Sequence, residues 1–389
     1  MKKSLAPLAL GGFGIGMTEF VMMGILPDIA TNLAITIPQA GYLITAYALG
    51  VVVGAPTLVA LMAGKAPKSV LIWFMMLFAV TNAVSALAPN FHVLMLCRFL
   101  AGLPHGAFFG VGAVVASRLA DKGKVAAAVA SMFTGLTLAN VVGVPAGTWL
   151  GHNASWRVVF LVVGAIGVAT VLLLKRWVPH IAPEPSEGLR QDLKIFKRPG
   201  LWLALAITSI GTGGFFASLS YIAPLLTDMS HFKAATIPLI MIVIGIGMTV
   251  GVHLGGKLAD KVSPIKAVAI LLTSMTVVLL LNAALAHSQP AILLLAFATG
   301  ANAMALGPSI QVLLMDHSRD AEMLGSSLGQ SGFNIGNALG AFLGGIPLTL
   351  GYNFASPQWV AAGLALAGLA LALLMLGKHR TFGAAALPA

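Results

Sequence analysis

The chain has 389 residues, of which 58% are hydrophobic and only 8% charged. A soluble protein covers its surface with about 25% charged residues, so this composition excludes an ordinary soluble enzyme or binding module and points to lipid as the surrounding medium. The formal net charge of +11 does not indicate a nucleic-acid partner, because the basic residues sit in short loops between apolar runs.

A span needs about 20 apolar residues to cross the hydrocarbon core. Six such runs come first, at 5–29, 38–62, 69–88, 91–117, 125–150 and 156–174. The first resembles a secretion signal, with Lys2 and Lys3 before an apolar stretch. However, Glu19 lies inside it, no small-residue cleavage site follows, and the run continues to about Ile29. It therefore reads as an uncleaved first helix. Then comes 178–199, the longest polar stretch, with Pro179, Pro183 and Pro185 ahead of a basic segment. Leu189, Leu193 and Phe196 share one face of that segment, which reads either as an interfacial helix or as a solvated linker. Six more runs follow, at 201–225, 236–256, 266–286, 290–314, 323–350 and 358–377. The expectation is an all-α membrane protein of twelve transmembrane helices: a six-helix bundle over 1–177, a cytoplasmic linker over 178–199 and a second six-helix bundle over 200–389.

Orientation follows from the basic residues. With the N-terminus inside, every Lys and Arg of the 22 except Arg98, Arg157 and Lys233 falls on the cytoplasmic side. Both termini are then cytoplasmic. The single cysteine, Cys97, permits no internal disulfide, and the nine histidines form no ligand-spaced cluster, so neither a metal nor a cofactor is expected. The chain also lacks HExxH, GxSxG, paired carboxylates and a phosphate loop, so an enzyme is not expected.

The two sets of runs repeat each other. A constant shift of 197 residues places Gly14 on Gly211, Pro27 on Pro224, Gly50 on Gly247 and Gly54 on Gly251. The same shift places Gly135 on Gly332, Asn140 on Asn337 and Gly147 on Gly344. One ungapped register therefore runs from the first to the fifth helix of each half. Both halves start inside, so the repeats are parallel, as in transporters whose halves rock against each other about a central cavity.

Several motifs resemble the major facilitator superfamily. Its loop signature reads Gly255-Gly256-Lys257-Leu258-Ala259-Asp260-Lys261 between helices 8 and 9. The equivalent first-half segment, Ala63-Gly64-Lys65-Ala66-Pro67-Lys68, lacks the acidic residue. Arg98 with Gly102, Gly106 and Gly110 resembles the family's helix-4 arginine motif. Gly135 through Gly143-Val144-Pro145-Ala146-Gly147 resembles the antiporter motif of exporters, and Trp156-Arg157 opens helix 6 in the family's manner. Gly16-Met17-Thr18-Glu19-Phe20 and the stretch from Leu103 to Gly112 are similar to the AraJ-type arabinose efflux permeases of the twelve-helix drug:proton antiporter group. The resemblance covers essentially the whole chain. It implies proton-driven export of a small molecule across a bacterial inner membrane by a monomer, with substrate, protons and lipid as its partners.

Three residues stand out for proton coupling. Glu19 is the only carboxylate well inside a run, about 3 Å to the periplasmic side of the helix-1 midpoint. An ionised group there costs roughly 2.5–3.5 kcal/mol or more, so it is either a proton carrier or a structural carboxyl. Arg98 lies about 9 Å to the periplasmic side of the helix-4 centre, within reach of the Glu19 level. It either couples to the protonation of Glu19, or is a structural ion pair or a snorkelling side chain. His105 shares a face with Arg98 and is either a proton partner or a histidine satisfied by the backbone.

The 197 shift pairs Glu19 with Phe216 and Arg98 with Leu295, so charge chemistry is expected in the first half alone. Neutral hydrogen-bonders are the candidates for cargo: Asn140, Tyr221, Asn302, Gln311, Gln330, Asn334 and Asn337. Some of these must be helix–helix contacts. They suit a sugar, a sugar derivative or a drug-like compound. Gating candidates are Asp260, Lys261, Gly143, Pro145 and Gly147, the glycines being either close-packing positions or sliding faces. Proton-coupled symport or facilitated uptake remains open beside export. A non-transporting sensor would be expected to add a soluble domain, for which no loop is long enough.

Overall fold

The computed structural model describes residues 2–35, 37–183, 193–233 and 236–384. Among these residues the regular structure is helical. We number the long helices α1 (Ala6–Asn32), α2 (Ile37–Leu61), α3 (Pro67–Ala86), α4 (Phe91–Leu119), α5 (Val125–Asn153) and α6 (Trp156–Trp177). The series continues with α7 (Pro199–Ser220), α8 (Ile237–Val262), α9 (Pro264–Ala284), α10 (Gln289–Asp316), α11 (Glu322–Thr349) and α12 (Ser356–Ala384). Among the described residues, eleven helices are long and apolar enough to cross a membrane. The remaining one, α11, has the length but carries seven glycines in 28 residues, so its composition alone falls short. Large apolar side chains such as Leu294 (74% exposed) and Phe342 (70%) point outward, as lipid-facing residues do.

Local sequence explains many of the boundaries. Asn90 caps α4 by accepting from the Val93 amide at 3.0 Å, and Ser155 caps α6 through the Arg157 amide at 3.2 Å. Proline occupies the first turn of α3, α7, α9 and α10, where its missing N–H costs nothing. Within α5 the residues Ala139–Gly143 form a π-helical turn directly before Pro145. Proline cannot donate to the preceding turn and crowds it, and the widened turn absorbs the defect.

Two expected boundaries differ. The Gly255–Lys261 signature is not a loop: α8 runs through it to Val262, and Ser263 alone, at φ 120°, links α8 to α9. The seventh run breaks at Tyr221, giving way to a short helix, Ile222–Pro224, and a π-helical turn, Leu225–Met229. Of the proposed interfacial segment, only the short 3-10 helix Leu193–Lys197 is described; Leu189 and its neighbours over 184–192 lie outside the described residues.

The chain forms two compact units, one of Met1–Ile195 with Ser318–Ser331, the other of Phe196–His317 with Gly332–Ala389. Each unit uses the same helix pairs. In the first, α1 lies along α5, α2 along α4 and α3 along α6; in the second, α8 lies along α10 and α9 along α12. The fifth-helix pairing recurs too, with Gly340 of α11 facing the Gly213 carbonyl of α7. The 197-residue register is thus a structural repeat. A side chain at Gly54 would run into the Leu103 backbone, and one at Gly251 into the Ala301 carbonyl, so both crossings depend on a missing Cβ.

Basic side chains also tie the first unit together at its ends. Lys68 donates to the carbonyls of Lys175 (2.9 Å) and Val178 (2.5 Å), filling acceptors left open where α6 stops. Arg118 Nη1 donates to the Ala182 carbonyl at 2.8 Å. Lys2 pairs with Asp121 at 2.6 Å, and this hydrogen bond holds the Asp121 carboxyl below its ordinary range. At the opposite end Arg157 donates to Asn32 and to the Ala88 carbonyl, fastening α1 and the α3–α4 connection to α6.

Candidate functional site

Helix α4 is enclosed on all sides: every residue from Pro104 to Ala116 is buried. A helix apolar all round is a central one, and α4 delivers Arg98 and His105 into the interior of the first unit. Arg98 is fully buried. Its Nη1 donates to Thr18 Oγ1 at 3.0 Å and its Nη2 to the Thr18 carbonyl at 3.1 Å. Thr18 Oγ1 in turn donates to Asn82 Oδ1 at 2.7 Å, and Asn82 Nδ2 donates to the Phe78 carbonyl at 2.8 Å. The guanidinium lies over the Tyr47 ring, 4.2 Å from its centroid, with the Phe160 ring at 5.7 Å. Helices α1, α2, α3 and α6 thus all contribute to holding one cation, and an aromatic face is worth about 0.5–2 kcal/mol to it.

Tyr47 joins the two α4 residues singled out from sequence. Its ring carries Arg98, and its hydroxyl lies 3.1 Å from His105 Nδ1. His105 also shares a hydrogen bond with the Gln330 side chain, within the Ser318–Ser331 segment that belongs to this unit. The same segment places Ser326 Oγ 3.0 Å from the Gly110 carbonyl and Ser331 Oγ 3.2 Å from the Val52 carbonyl. The closely placed glycines of α4 make room for it, since a Cβ on Gly106 would sit 3.1 Å from Gln330 Cβ.

Glu19 is half-buried and makes no hydrogen bond or ion pair among the described residues. It is near enough to Arg98 for the two charges to act on one another. The hydrogen bonds of Arg98 go to Thr18, the residue before Glu19, because Thr18 offers a hydroxyl and a carbonyl side by side. The result is a half-buried carboxyl beside a fully buried cation that is bonded to the neighbouring residue. A carboxylate at Glu19 and the buried Arg98 cation act on each other, so the charge state of Glu19 bears on the electrostatic energy of this unit.

The cargo candidates are more dispersed. Asn140 Nδ2 and Asn302 Nδ2 donate to carbonyls of their own helices, Leu136 at 3.1 Å and Ala298 at 2.9 Å. Tyr221 donates to the Ala341 carbonyl at 2.8 Å. Gln311 and Gln330 are buried, and Asn334 and Asn337 are half-buried. Among the gating candidates, Gly143 faces the Phe13 ring and Gly147 faces Val21, while Pro145 is exposed. Asp260 is half-buried and Lys261 exposed in the last turns of α8. Sequence reasoning missed Tyr47, Asn82 and the part played by Thr18. Each is a polar residue inside an apolar run, which is a usable signal, but their shared neighbour, Arg98, is visible only in three dimensions.

Comparison with known proteins agrees over the whole length. The family model described as Major Facilitator Superfamily matches residues 8–323 and 254–387. The AraJ protein of Escherichia coli (strain K12) is 38% identical over 388 residues, covering 100% of this chain and 98% of its own. The chloramphenicol resistance protein of Streptomyces lividans is 32% identical over 388 residues, covering 98% and 97%. A crystal structure of the E. coli fucose:proton symporter FucP shares the fold, with a TM-score of 0.76 at 15% identity over 95% of this chain and 98% of that one.

Proposed function

The chain belongs to the Major Facilitator Superfamily, and from that membership we propose that it is a proton-coupled exporter of a small polar or drug-like molecule in a bacterial inner membrane. It is a multi-pass membrane transporter rather than an enzyme. The observation that carries the proton coupling is the unpaired Glu19 beside the enclosed Arg98. An intramembrane carboxyl is costly to keep and marks an ion pathway. Here its protonation changes the charge balance of a whole helical unit, which is what a proton-driven conformational cycle requires. Export rather than uptake is supported by the Gly143–Gly147 stretch on α5 and by the likeness to a chloramphenicol resistance protein. Alternating access is supported by two repeats built on the same helix pairs.

The test is a pH gradient, acid inside, imposed on everted vesicles. Adding chloramphenicol or arabinose, each tried separately, should dissipate the gradient with the wild-type protein and not with Glu19→Gln. Substrate moving down a gradient of the opposite sign would establish uptake by symport. Dissipation undiminished by Glu19→Gln would remove Glu19 from the proton path.

A further inference from the structure

Thr18 departs from the way the other buried threonines of this chain behave. Thr81, Thr170, Thr208 and Thr276 each donate their hydroxyl to the carbonyl four residues earlier in the same helix, at 2.8 Å. That is the ordinary refuge of a threonine in an apolar helix. Thr18 instead donates across to Asn82 on α3. The orientation of Asn82 is set by its own back-bond, because Nδ2 donates to the Phe78 carbonyl and leaves Oδ1 facing Thr18. A hydroxyl has one proton. Once Asn82 takes it, Thr18 Oγ1 can only accept, and the donor it accepts from is Arg98. Every bond in the chain Phe78–Asn82–Thr18–Arg98 therefore has a defined direction.

Successive residues of an α-helix point about 100° apart. An arginine gripped by Thr18 is thus held to one side of Glu19. We propose that Asn82 is a positioning residue: by taking the Thr18 hydroxyl proton it turns Thr18 Oγ1 toward Arg98 and keeps the guanidinium from closing onto Glu19. Without Asn82 the Thr18 hydroxyl falls back on its own helix, its lone pair leaves Arg98, and the guanidinium is released to seek the carboxylate. The proposal rests on the reading of Glu19 as the proton carrier. The charged group acting on Glu19 is Arg98, from α4; the titratable Tyr47, from α2, stacks on Arg98, with His105 behind it. From α3 and α6 the neighbours of the cluster are Asn82 and Phe160, both uncharged. The ionisable groups of α5 and α6 sit at the ends of those helices, His152 beside Asp28 and Arg157 beside Asn32.

The test is an infrared titration of the purified full chain in lipid nanodiscs. The Glu19 carboxyl C=O stretch is assigned by its loss in Glu19→Gln. Asn82→Leu and Thr18→Val, which cut the same chain at two links, should each change the proton concentration at half-protonation at least tenfold. Thr18→Ser, which keeps the hydroxyl, should stay within twofold of wild type. The Asn82→Leu, Thr18→Val double variant should move no further than either single one, as expected for residues acting through one path. If Asn82→Leu does not fold, Thr18→Val, isosteric and buried, makes the same cut. A midpoint that ignores both variants, or a double variant whose shift is the sum of the two, overturns the positioning role. A Glu19 band that does not titrate in the wild type removes the proton-carrier reading itself, a result distinct from a titrating band indifferent to Asn82.

Discussion

Arg98 grips Thr18 with both terminal nitrogens, one on the hydroxyl at 3.0 Å and one on the carbonyl at 3.1 Å. The two acceptors belong to a single residue, so the guanidinium is fixed in angle as well as in place. Its planar face is simultaneously spent on Tyr47.

That geometry makes arginine irreplaceable by lysine. An ammonium is a compact point charge that lacks the planar fork matching both Thr18 acceptors and the flat face that stacks on the ring. Arg98→Lys should lower the thermal midpoint in detergent, by roughly 1–3 kcal/mol of lost charged hydrogen bonding, and should abolish proton-linked transport in everted vesicles. A variant with wild-type midpoint and transport would show that the two-pronged contact has no part in either.

A second expectation concerns the outer end of α12. Gln358 is fully buried, and among the described residues neither its Nε2 nor its Oε1 has a hydrogen-bond partner; Ser218 Oγ on α7 is likewise buried and without one. The two helices cross where a Cβ on Gly214 would lie 2.5 Å from the Ala361 carbonyl, one turn away from both residues. A buried amide without hydrogen bonds costs about 1–3 kcal/mol. Gln358→Met, close in volume, should therefore raise the thermal midpoint. A fall would show that the amide is satisfied in the membrane.

Close helix crossings give a paired test. A Cβ at Gly251 meets the Ala301 carbonyl, whereas one at Gly363 meets nothing within 4 Å. Gly251→Ala should destabilise by roughly 1–3 kcal/mol through forced separation of α8 and α10. Gly363→Ala should be neutral or slightly stabilising, since alanine is the better helix former by up to about 1 kcal/mol. Equal effects in a detergent-melt assay would contradict the crossing geometry.

Alternating access predicts motion of each repeat as a body. Exposed Lys65 and Lys266 mark the side rich in basic loops, and exposed Thr31 and Lys233 the other. Spin labels on the two pairs should report distances that change in opposite senses as pH is lowered or chloramphenicol is added. Distances that stay constant in protein shown to transport would rule the mechanism out.

Much of this was legible in one dimension. The helices and their punctuation follow from apolar runs, prolines and capping residues such as Asn90 and Ser155. The 197-residue register exposed the repeat before any helix pair was known. Glu19, Arg98 and His105 stood out because charge in an apolar run is expensive. Boundaries were weaker where a helix runs on through polar residues, as α8 does past Asp260, because a helix satisfies its own backbone whatever its side chains.

What the sequence by itself determined is therefore medium, fold and repeat, each of which depends on composition and periodicity along the chain. Only the tertiary structure decided which atoms meet. Thr18 stands next to Glu19 in the chain, yet it is Thr18 that takes Arg98, because Asn82, sixty-four residues away, claims its proton. Tyr47 links Arg98 to His105 from a third helix. Hydrogen bonds depend on direction over about 3 Å, and the direction in which a side chain points across a helix interface is set by the packing of whole helices rather than by its neighbours in sequence.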